Sequence, residues 1–179
     1  DAVLVRARNV NLTGLTIRNG TKDGMDMNDG DGSVIDGCLI YNFLGGSYTA
    51  PLDAHGIVAT DTQGLTIRNT EVHHVSGDSF QSDPDRDTDY PDNILIENCR
   101  FWTGPLAAAF STAWPAGQNP GENAVDTKVD NTTAYASATR MRLTIRNTVA
   151  YGWTQGGAIG NRAAFNLKEK IDASLDGIT

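Results

Sequence analysis

Six acidic or amide side chains recur around short apolar runs. They are Asp23 and Asp26 in DGMD, Asp78 and Gln81 in DSFQ, Asp83 just after it, and Asp126 in ENAVDTK. Lys128 closes the last of these motifs, and Lys168 closes FNLK. Carboxylates gathered on one surface repel one another unless a cation or a charged partner offsets them. This patch of acids therefore points to a groove with a cation site. A lysine beside them is a candidate proton acceptor, with His55 as an alternative acid or base. The chemistry in view is capture of an acidic polymer and removal of a proton from it, and it requires these residues to share one face.

A repeat supplies that face. Residues 10–17, 33–40, 65–72, 94–101 and 143–150 align so that the fifth position is Gly14, Gly37, Asn69, Asn98 or Asn147, and a sixth copy at 173–179 adds Gly177. Gly and Asn accept a left-handed backbone most cheaply. The third position is Leu12, Ile35, Ile67, Ile96, Ile145 and Leu175; the sixth is Leu15, Cys38, Thr70, Cys99, Thr148 and Ile178. Both columns are expected to face inward.

A second strand follows in each coil, aligned as 25–28, 57–60, 80–83, 125–128 and 165–168. The shortest coil, from Val10 to Ser33, is 23 residues. A turn residue recurring at coil spacing between β-branched runs predicts a right-handed parallel β-helix of about five to six coils. Stacked at ~4.8 Å, about five coils make a rod on the order of 25 Å long. Longer coils carry insertions at two corners, 41–56, 102–124 and 151–164 at one, and 84–93 and 129–142 at the other. One domain spanning 1–179 is expected, cut from a longer helix at one or both ends.

Alternation along the second strand sorts its side chains. Met25, Ile57, Phe80, Val125 and Phe165 are expected inside, with Met27, Ala59, Ser82, Thr127 and Leu167 two residues on. One outward column reads Asp26, Val58, Gln81, Asp126, Asn166. The next reads Asn28, Thr60, Asp83, Lys128, Lys168. A corner column reads Asp23, His55, Asp78, Asn123, Ala163, with Arg162 one residue outside it. Gln81, Asp83, Arg162 and Asn166 are candidates for contacting a polymer along this strip. A solvated, salt-bridged face is the alternative. Tyr41, Tyr48, Trp102, Trp114 and Trp153 fall in the first corner's insertions; Trp102 and Trp114 are candidate sugar platforms, or they pack the loops onto the rod.

The net charge of −8 and a pI near 4.7 argue against nucleic-acid binding. No segment is long or apolar enough to cross a membrane. Cys38 and Cys99 occupy one column two coils apart with Thr70 between, roughly 9–10 Å by strand spacing, beyond the ~7 Å reach of a disulfide. Two free, inward thiols are expected.

DGMD, DSFQ and ENAVDTK resemble second-strand motifs of the right-handed β-helix polysaccharide lyases in the pectate lyase superfamily, the family-nine enzymes above all. The resemblance implies β-elimination on a uronic acid polysaccharide; the acidic charge fits a secreted or extracellular protein, the periplasm included, and a monomer is expected. The resemblance also implies Ca2+ held by Asp23, Asp26, Asp78 and Gln81, with Lys128 as base. Gln81 stands where that family places an acid. Lys168 neighbours Lys128 in the same column, which favours a neutral amine, while Asp126 opposes this. A glycoside hydrolase using Asp78, Asp83 or Asp126, an epimerase, and a non-catalytic glycan-binding or fibre β-helix are the competing readings.

Overall fold

The computed structural model describes residues 1–84, 90–128, 140–153, 163–168 and 170–179. Its regular elements are short β-strands that stack coil on coil into three parallel sheets. The first sheet holds Val3–Val5, Met25–Asn28, Ile57–Thr60, Phe80–Asp83, Asn123–Thr127 and Ala163–Asn166. The second holds Asn11–Thr13, Val34–Asp36, Thr66–Arg68, Ile94–Glu97, Met141–Arg146 and Ile171–Asp176. The third holds Thr16–Gly20, Leu39–Phe43, Glu71–Val75, Arg100–Trp102 and Val149–Tyr151. This is the parallel β-helix that the repeat predicts.

The Gly/Asn column is the turn from the second sheet to the third. All six members are left-handed, with φ of 65° at Gly14, 63° at Gly37, 52° at Asn69, 52° at Asn98, 48° at Asn147 and 60° at Gly177. The predicted register holds as well. Ile67 pairs with Ile35 and Ile96, and Ile145 with Ile96 and Leu175. Met25, Ile57, Phe80, Val125 and Phe165 form one ladder in the first sheet.

Stacking these columns gives one continuous core. Ile35, Ile40, Ile67, Val72, Phe80, Ile96, Phe101 and Val125 are inaccessible to solvent. Removing a buried Ile or Leu side chain from such packing costs ~2–5 kcal/mol. Cys38 and Cys99 are buried and free. Each thiol donates to main-chain carbonyls, and the Thr70 and Thr148 hydroxyls accept from the Cys38 and Cys99 amides. Leu15 and Leu175, expected inside, are 36% and 40% exposed, because the outermost coils have a neighbour on one side only. Leu167 is also exposed: the last strand of the first sheet ends at Asn166, so the alternation no longer governs it.

The corners differ in size. At the corner that leads into the first sheet, small residues let successive coils approach closely even where the corner carries an insertion. A Cβ on Gly24 would lie 2.6 Å from the Gly56 carbonyl oxygen, and one on Gly56 would lie 2.6 Å from that of Ser79. The wide insertions build a satellite core. A hairpin of Gly45–Ser47 with Ala50–Leu52 leans on the loop after Trp102, and Leu44, Leu106 and Trp114 close around one another.

Candidate functional site

The corner column turns inward and forms a hydrogen-bonded ladder between coils. Asp23 Oδ1 accepts from the His55 amide at 2.8 Å and from His55 Nδ1 at 2.9 Å. His55 Nε2 lies 3.5 Å from Asp78 Oδ2, an ion-pair separation. Asp78 Oδ1 accepts from Asn123 Nδ2 at 2.8 Å, and Asn123 Oδ1 accepts from the Ala163 amide at 3.1 Å. His55 and Asp78 are buried. Burial alone would push the His55 pKa down, but the hydrogen bonds and charges of Asp23 and Asp78 outweigh it and hold it at about 10. Asp23, in turn, is held below its usual range despite burial, by the same histidine. His55 is therefore a charged tie between coils near neutral pH. That fits poorly with the alternative role of acid or base, which needs a pKa near the working pH.

Beside this ladder the outward columns open into a polar depression of about 250 Å³, lined by Asp23, Asp26, Asn28, His55, Val58, Thr60, Gln81 and Asp83. Burial, and then the nearby Asp23 charge, raise the Asp26 pKa against the hydrogen bond from Thr60. Gln81 Nε2 donates to Asp83 Oδ2 at 3.4 Å, which leaves Gln81 Oε1 buried without a protein partner. A crowded carboxylate and an orphaned amide oxygen in one depression match the hard oxygen ligands that Ca2+ takes. Of the four expected cation ligands, Asp23, Asp26 and Gln81 line the depression, whereas Asp78 points to His55 and Asn123. Asp83, expected at the polymer, joins them instead. Among the described residues no three His, Cys, Asp or Glu side chains converge as a preformed metal centre.

The basic end of the strip centres on Asp126. Its Oδ2 sits 2.8 Å from Lys168 Nζ and 3.5 Å from Lys128 Nζ, while its Oδ1 is buried without a partner. Asn166 pairs with Asp126 in register and continues the column. Desolvation lowers the Lys128 pKa, but Asp126, Asp78, Asp53 and Glu122 raise it by more, so the net shift is upward. The expectation that Lys168 would favour a neutral Lys128 is thus corrected: acids dominate its surroundings. Glu122 was not singled out in the sequence, and it shares that field. Burial, Asp78 and Asp53 push its pKa up. Its place at the head of ENAVDTK was the available signal.

The two tryptophans lie away from the strip. Trp114 is 2% exposed inside the satellite core, which leaves no face for a sugar. Trp102 ends a strand of the third sheet rather than starting a loop. It stacks on His73 at 4.4 Å and Tyr151 at 5.8 Å, with Tyr41 stacked on the far side of His73 at 4.9 Å. Its Nε1 donates to Glu71 Oε1 at 2.6 Å. Tyr41 likewise belongs to a strand of that sheet. Arg162, and the loop aspartates Asp85, Asp87 and Asp89, lie outside the described residues.

Comparison with known proteins agrees with this architecture. The crystal structure of pectate lyase Pel9A superposes with a TM-score of 0.52 at 12% sequence identity, covering 98% of this chain and 47% of that one. The chain thus spans about half the length of that protein, and at this identity the likeness is one of fold. None of the curated proteins matches the chain. The family described as right handed beta helix region matches residues 1–114, well over half of the sequence. With three parallel sheets in register and a left-handed turn in every coil, the chain belongs to the right-handed β-helix family.

Proposed function

We propose that this protein acts on an acidic, uronic acid-containing polysaccharide laid along the outer face of the first sheet, and cleaves it by β-elimination. The observation that carries the reading is the division of one outward strip into an acidic depression at Asp26, Gln81 and Asp83 and a lysine pair at Asp126. A uronan carries a carboxylate on every such unit. β-Elimination needs a counter-charge at that carboxylate and a proton acceptor at C5–H of the same sugar; the electron pair forms the C4–C5 double bond as the C4–O glycosidic bond breaks, and the departing oxygen takes up a proton from solvent.

Asp26, Gln81 and Asp83, with the edge of Asp23, are the residues that would hold Ca2+. When bound, the ion supplies charge neutralisation for the sugar carboxylate, which makes the neighbouring C–H acidic. Lys168 donates to Asp126 Oδ2 at 2.8 Å and stays on that buried carboxylate. Lys128, at the longer 3.5 Å separation, is the lysine free to turn to substrate and take the proton. Its raised pKa makes the neutral amine scarce at pH 7, so turnover is an alkaline property. A polymeric substrate of this kind implies a secreted or extracellular setting.

Binding without turnover is the second reading, and the pairing of both lysines with Asp126 favours it. Incubation with pectate, alginate and other uronans, with and without EDTA, separates the two. Unsaturated product lost on chelation supports the lyase. Saturable binding with no unsaturated product from any uronan supports the binding module.

A further inference from the structure

The third sheet carries a pocket that the strip does not use. Its floor is Asn19, Tyr41, Asn42, His73 and His74, and its wall is the segment 106–110, three alanines between Leu106 and Phe110. Its volume is about 570 Å³, within the ~300–1,000 Å³ of small-ligand sites. None of these lining residues is an acid, a lysine or an arginine. Burial and the neighbouring His74 bring His73 down to about 4, with Glu71 opposing and Arg100 assisting, and burial lowers His74 against the Gly104 carbonyl. Both imidazoles are neutral at pH 7, and so is the pocket.

His74 departs from the pattern of its column. Asn19 and Asn42 occupy the same register in the two preceding coils, with φ of 65° and 59°, and Asn42 Nδ2 donates to Asn19 Oδ1 at 3.3 Å. His74 takes φ 51° there, a backbone that Asn adopts more cheaply. It is 8% exposed, and its Nε2 makes no hydrogen bond of good geometry, the Gly104 carbonyl lying near the ring but out of line. His73 Nδ1 and His74 Nδ1 lie 2.6 Å apart, so one donates and the other accepts. Whichever way the proton lies, the pair is left with one Nε2–H and one bare Nε2. A hydroxyl, which both donates and accepts, satisfies either.

We propose that this pocket binds a neutral sugar unit, at a site separate from the strip on the first sheet. The asparagine and histidine floor takes hydroxyl edges. The alanine and phenylalanine wall takes the C–H face of a pyranose ring. The inference does not depend on the lyase reading, since it uses none of the residues of the strip.

The test is a titration of the full chain with neutral gluco-, manno-, xylo- and galacto-oligosaccharides, and with a uronic acid oligosaccharide as a second arm. Imidazole 1H–15N resonances report the site, and calorimetry gives Kd. At least one neutral series should shift the His73 and His74 resonances saturably. His74→Asn suits the local backbone and keeps the amide column, and it should weaken that binding at least tenfold. Ala108→Trp, which fills the pocket, should do the same. The proposal is overturned if no neutral sugar shifts the imidazoles, if only the uronic acid arm or an aromatic probe such as indole does so, or if affinity survives His74→Asn unchanged.

Discussion

Replacing His55 by Gln withdraws the cation held between Asp23 and Asp78 and leaves one amide able to donate to one of them. The rise of the His55 pKa from 6.5 to about 10 corresponds to a net ~5 kcal/mol in favour of the charged form after its burial is offset by the two carboxylates. Removing one partner from a buried ion pair costs ~3–5 kcal/mol, and a retained neutral hydrogen bond returns ~1 kcal/mol. The expected loss is therefore about 2–4 kcal/mol at pH 6. Because the folded-state pKa is the higher one, the stabilisation is complete below pH 6.5, fades as pH rises, and is gone above about pH 10. Guanidinium unfolding of wild type and His55→Gln at several pH values between 6 and 10 measures the difference. Lys128 and Cys99 also titrate towards alkaline pH, but they are common to both proteins and cancel. A gap that narrows steadily with pH is predicted. A gap under ~1 kcal/mol at pH 6, or one constant across the range, refutes the tie.

Other consequences are simpler to check. Asn98→Ala should cost ~1–2 kcal/mol, since alanine is forced to φ 52° at an exposed turn, and should lower Tm by about 2–8 °C; Asn98→Gly should stay near wild type. If Lys128 is the base, the rate of unsaturated-product formation should climb about tenfold per pH unit from pH 8 to 10, and Asp126→Asn, which removes a raising charge, should move that limb to lower pH; an unmoved limb removes Asp126 from the field at Lys128. Burial raises the Cys99 thiol to about 11, so a thiol reagent at pH 8 should label it only at the rate of unfolding, whereas rapid labelling of the native protein would contradict its burial.

The fold was legible because its demands are local and repeated. A left-handed turn admits few residues, so Gly14, Gly37, Asn69, Asn98, Asn147 and Gly177 mark the coil, and alternation then sorts side chains in and out. The polar strip followed from the same ruler. The partners within it did not, because His55 meets Asp23 across 32 residues and Asn123 meets Asp78 across 45, distances that depend on insertion lengths. The sign at Lys128 escaped because charges outside its column, Asp53 and Glu122, add to those of Asp78 and Asp126. Trp102 and Tyr41 were placed in loops because the third-sheet strands run a residue or more past the eighth repeat position; carrying the alignment to Arg18–Asn19, Tyr41–Asn42 and His73–His74 would have shown the aromatic stack and the histidine pair.

The most direct test of the account is a crystal structure of the chain soaked with Ca2+ and a short uronic acid oligosaccharide. The account predicts an ion held by Asp26, Gln81 and Asp83, with sugar carboxylates beside it and Lys128 Nζ turned from Asp126 towards a ring carbon. Sugar bound elsewhere with the strip bare, or an ion coordinated without those three residues, would contradict it.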